Sequence, residues 1–102
     1  MNLKNWFRLS FFEQLSNIAG EVKRLVDNHE DYLQNTADDY SEFYMNKIIQ
    51  LIDATFEDEK NDIKRKKELI DEYYEISHYL EGKVSAQYIL NYWNQYTKAI
   101  SF

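Results

Sequence analysis

Apolar side chains recur along the chain with the spacing of helix faces. The first clear stripe is Phe12, Leu15, Ile18, Ala19, Val22, Leu25 and Val26, which holds helical periodicity for four turns. Ser10 stands before it with Glu13 three residues on, the pattern of a capping box. A second stripe is wider: Tyr40, Tyr44, Met45, Ile48, Ile49, Leu51, Ile52, Thr55 and Phe56. That width predicts the most buried helix, one touching two neighbours. A third runs Leu69, Ile70, Tyr73, Ile76, Ser77 and Leu80, and Gly82 follows at the position that favours a left-handed residue. Ser85 caps a fourth, made of Ile89, Tyr92, Trp93, Tyr96 and Ile100.

The pattern predicts four helices near residues 10–30, 37–57, 62–81 and 85–100, with the second starting close to Thr36. Before the first, Leu3, Trp6, Phe7 and Leu9 form an apolar lid or a short extra turn. Short connections make consecutive helices antiparallel neighbours. The expected fold is all-α: an up-down-up-down four-helix bundle in a single domain spanning residues 1–102.

Composition agrees with this. There are no prolines and two glycines, too few turn residues for an all-β fold. Aromatic residues make up 17% of the chain, enough large apolar area for a small stable core. Gly20 lies inside the first stripe, where it either admits a neighbouring helix or is tolerated at the surface. No cysteine is present, which excludes disulfides and thiolate metal sites. No run is long and apolar enough to suggest a signal peptide or a membrane span, so a cytoplasmic protein without a membrane partner is expected. The net charge of −6 argues against nucleic-acid binding over the whole surface.

Few residues suggest chemistry. The stretch RLVDNH places Arg24 and His29 in the R-x4-6-H outline of HEPN-type ribonucleases. In that reading Arg24 holds phosphate and His29 moves a proton, without a metal. Five helical residues leave the two side chains about 140° apart, so they meet only if the helix bends or a second copy contributes. The plainer reading is a histidine near a fraying helix end beside a solvated arginine. A polar strip of Gln14, Asn17, Glu21 and Arg24, at i, i+3, i+7 and i+10, edges the first apolar stripe. It is either an ordinary boundary with a Glu21–Arg24 ion pair or a seam that contacts a second subunit or a polar ligand.

Other features carry less. KRKK at 64–67 points all round a helix and has acidic neighbours, which suits a solvated helix start. His78 has no partner histidine or cysteine for a metal. Glu75 and His78 have the spacing of a di-iron motif, but no second copy of it exists. Phosphate loops, nucleophile elbows and zinc spacings are missing. Tyr79 and Tyr88 fall off the main stripes and, with Phe7, Phe11 and Phe102, would supply an aromatic interface.

The segments EQLSNIAGEVKR (13–24), IQLIDATFEDEKN (49–61) and KEL (67–69) resemble a group of small uncharacterised prokaryotic proteins. Those proteins carry an EQ-x-x-NI-x-SEV-x-R-like first helix, an LLDLTI-x-D-like second helix and a KEL segment. The chain departs from that pattern at Ala19–Gly20. The resemblance implies an all-helical bundle of this size and no activity. A looser similarity to HEPN-type bundles rests on Arg24 and His29. It implies a toxin–antitoxin or defence component with a partner protein.

These observations favour a non-enzymatic interaction module that self-associates as a homodimer or binds another protein, with the strip Gln14, Asn17, Glu21 and Arg24 as its surface. No cofactor, metal or small-molecule ligand is expected. A ribonuclease using Arg24 and His29 is the alternative.

Overall fold

A computed structural model describes residues 2–97, and among them all regular structure is helical. Five helices follow one another: α1 (Leu3–Arg8), α2 (Phe11–Leu33), α3 (Ser41–Glu57), α4 (Ile63–Leu80) and α5 (Ala86–Thr97). The short N-terminal segment is thus a helix of its own, capped by the Asn2 side chain. Ile100 and Phe102, assigned above to the last stripe and to an interface, lie outside the described residues.

Local signals set most helix ends. The capping box is formed: Glu13 N–H donates to the Ser10 hydroxyl at 3.1 Å, and Ser10 N–H to the Glu13 carboxylate at 3.0 Å. Asp62 caps α4, accepting from Arg65 N–H at 3.0 Å, and the Ser85 hydroxyl accepts from Tyr88 N–H at 3.1 Å. Gly82 takes the left-handed backbone after α4, with φ of 80°.

The connection between α2 and α3 corrects the expected boundaries. The first long helix runs to Leu33 rather than about residue 30, and the second begins at Ser41 rather than near Thr36. Thr36 serves the helix before it: its hydroxyl donates to the Asp31 carbonyl at 3.0 Å. Asn35 supplies the left-handed turn, with φ of 60°. Asn28 then clamps the returning chain, donating to the Asp38 carbonyl and accepting from Tyr40 N–H, each at 2.9 Å.

Packing also departs from the stripes. The central element is α2, with nine buried residues against four in α3, and it packs along both α3 and α5. Apolar width did not decide burial here. The outer part of the α3 face stays near the surface, since α3 and α4 touch only sparsely. Contacts at the helix ends give chain directions. Gln14 near the start of α2 meets Asp58 after α3, and Ser16 of α2 donates to the Tyr96 carbonyl near the end of α5 at 2.8 Å. The Tyr79 ring near the end of α4 packs on His29 near the end of α2, so Tyr79 is a core residue and not an interface aromatic. The described residues form a body of 42 × 26 × 23 Å.

Candidate functional site

The polar strip of α2 does not survive folding as one surface. Gln14 is fully buried. Its amide donates to the Asp58 carboxylate at 2.8 Å and to the Trp6 carbonyl at 3.1 Å, and its carbonyl accepts from Asn61 at 2.9 Å. Asn61 also donates to the Thr55 carbonyl, and Trp6 Nε1–H donates to the Thr55 hydroxyl at 3.1 Å. Lys60 closes the group with an ion pair to Asp58. Burial on its own would raise the Asp58 pKa, but hydrogen bonds from Lys60 and Gln14 outweigh it and hold the carboxyl below its ordinary value. This network pins α1 and the α3–α4 connection onto α2, which is a structural role. A helix boundary polar residue and a buried one have the same spacing, so the pattern did not separate them.

Asn17, Glu21 and Arg24 do share a shallow hollow with Trp6, Gly20 and Leu51. Asn17 bonds back to the Glu13 carbonyl, and Arg24 reaches Glu21 at 3.1 Å with its side chain 60% exposed. His29 lines a different hollow, with Glu30, Asp39 and Tyr79 among its walls. It is buried, its ring edge-on to Tyr79 at 5.2 Å and its Nδ1 3.5 Å from the Ser41 hydroxyl. The helix continues past His29 to Leu33. Within one copy, the structure therefore does not bring Arg24 and His29 into one cleft.

A seam of carboxylates and tyrosines joins α4 to α5. Glu68 accepts from the Tyr92 hydroxyl and, at 3.4 Å, from that of Tyr96. Burial first, then the neighbouring Glu75, Glu68 and Asp71, pushes the Glu72 pKa up to about 7. Burial and the bond to Glu68 raise that of Tyr92. Among the described residues no group of three or more His, Cys, Asp or Glu side chains is placed to hold a metal ion.

An apolar concavity lies between α3 and α4. Ile49, Ile52, Asp53 and Phe56 of α3 form one wall, at i, i+3, i+4 and i+7. Ile70, Tyr73 and Tyr74 of α4 form the other, and the hollow between measures about 330 Å³. Ile52 closes the floor, Tyr73 and Tyr74 stand edge to face, and Asp53 is the one charged side chain in the lining. Ile70, placed in the core stripe above, is 42% exposed on the rim, and Tyr74 is 57% exposed beside it. One turn and more before them, Ile63 projects into solvent at 83% exposure. The signal for this face was in the chain: Ile63, Ile70 and Tyr74 recur at i, i+7 and i+11, a second stripe on α4 beside the buried one of Leu69 and Ile76.

No helix among the described residues is long and apolar enough to cross a membrane. No protein-family model, curated protein or solved structure matches the chain.

Proposed function

We propose that the chain is a non-enzymatic interaction module. In this reading α2 to α5 form an up-down-up-down four-helix bundle, and the module acts by self-association into a homodimer through the groove between α3 and α4. The observation that carries it is the apolar groove rimmed by exposed Ile70 and Tyr74. Covering such a face removes apolar area from water at about 25 cal/mol per Å², whereas a polar surface offers no such term. The strip on α2 is set aside as the contact surface, because its first member is committed to the interior. No cofactor, metal or small-molecule ligand enters the proposal, and nucleic acid is not the partner.

Solution mass by light scattering tests it. Wild type is expected to be a dimer at roughly 0.1 mM, a concentration well above a micromolar Kd. Ile70→Asp is expected to be a monomer with unchanged far-ultraviolet circular dichroism, since Ile70 stands on the rim and not in the core. A monomeric wild type at that concentration would sink the reading.

A further inference from the structure

The charges of α4 divide along its length. The helix opens with KRKK at 64–67 and turns acidic from Glu68, with Asp71, Glu72 and Glu75 following. At about 100° per residue, Ile63, Ile70 and Tyr74 fall within roughly 40° of one another, forming a ridge along the exposed side of the groove. Lys67 comes about 20° beyond Tyr74 on the flank away from α3, and Asp71 about 40° further. Both side chains are exposed. Arg65 points elsewhere, its guanidinium 4.8 Å from the centre of the Phe11 ring.

Resting on the homodimer reading, we infer that the two copies meet antiparallel, with their α4 ridges packed against one another so that the two grooves face, and Lys67 paired with Asp71 of the partner subunit. A closed pair of identical chains is two-fold symmetric, so each contact occurs twice. With the axis beside Ile70, a residue three positions before it lies level with one three positions after it in the other copy. Lys67 then stands within about 3 Å of rise from Asp71 of the partner subunit, on the same flank. Parallel packing would instead stack KRKK on KRKK and the acidic half on the acidic half. In a chain of net charge −6 whose groove holds Asp53 and no cation, the antiparallel arrangement is the one that sets opposite charges side by side.

Charge exchange tests this by sedimentation or light-scattering titration. Lys67→Glu and Asp71→Lys should each weaken the homodimer about tenfold, since each places two like-charged pairs at the contact. The double variant K67E/D71K restores opposite charges in trans and should return to near wild-type affinity. An equimolar mixture of the two single variants should form a heterodimer tighter than either homodimer. If wild type dimerises and Ile70→Asp does not, yet both single variants keep wild-type affinity, or the double variant is as weak as the singles, the antiparallel register is overturned while self-association stands. A monomeric wild type removes both.

Discussion

Gln14 donates to Asp58 at 2.8 Å across 44 residues of chain, wholly inside the protein. That bond ties the first turn of α2 to the end of α3. Gln14 also accepts from Asn61 and donates to the Trp6 carbonyl, so it is the hub through which α1, α2 and the α3–α4 connection are held. Removing it leaves the buried Asp58 and Asn61 each short of a partner. Gln14→Ala is expected to destabilise the fold by about 2–4 kcal/mol, the scale of several buried groups losing their bonds. Urea unfolding followed by circular dichroism measures it; a loss below about 0.5 kcal/mol would show that water repairs the network.

Gly20 has no close neighbour to accommodate. A Cβ built there meets only the Arg24 guanidinium, at 3.6 Å, an ordinary contact with the end of a flexible side chain. Its backbone is helical, so glycine here only adds freedom to the unfolded chain. Gly20→Ala should raise stability by about 0.5–1 kcal/mol. Thermal unfolding should show a higher midpoint, and a lower one would mean that α2 does not tolerate the methyl group.

The α2–α3 connection depends on Asn28, which bonds both Asp38 and Tyr40. Asn28→Ala should cost about 1–2 kcal/mol, two side chain–backbone bonds at a partly exposed site. Amide hydrogen exchange should accelerate at Tyr40, whose N–H loses its acceptor, while amides in the middle of α2 keep their relative protection.

Stability should respond to pH through Glu72. Its carboxyl titrates at about 7 in the folded protein, against an ordinary value of 4.5. The folded chain therefore binds the extra proton more tightly than the unfolded chain. Stability is lowest from this group above pH 7, rises as pH falls through the interval, and gains nothing further below 4.5. Asp58 acts in the opposite sense: its pKa is held below 3.8, so its contribution is present above that value and lost as pH drops through the lowered one. A stability maximum near about pH 5 follows. Glu72→Gln should flatten the profile between pH 5 and 8; an unchanged slope would place the titrating group elsewhere.

His29 packs on Tyr79, whose hydroxyl donates to Glu30 at 2.9 Å. Loss of the ring in His29→Ala should cost about 1–2 kcal/mol in stability. The homodimer affinity should not change, because His29 is remote from the α3–α4 groove. Incubated with single-stranded RNA in the absence of metal, wild type and His29→Ala should leave it equally intact. Cleavage by wild type that disappears in a folded His29→Ala would favour the ribonuclease alternative.

What the chain determined by itself is local. Four long helices, the Ser10–Glu13 box, the cap at Ser85 and the turn at Gly82 all rest on interactions spanning a few residues, so periodicity and capping chemistry are enough to read them. Tertiary structure decided which side of each stripe met something. Gln14 looked like a boundary residue and became the centre of a buried network, because its partners arrive from 44 and 47 residues away. Tyr79 looked peripheral and was buried by His29 from another helix. Ile70 looked like core and was left on a rim, because α3 and α4 touch only sparsely and leave a hollow beside it. A helix face is marked as apolar by its own spacing, but its burial depends on how closely the neighbouring helices approach, and that depends on side-chain volumes and contacts distributed over the whole chain.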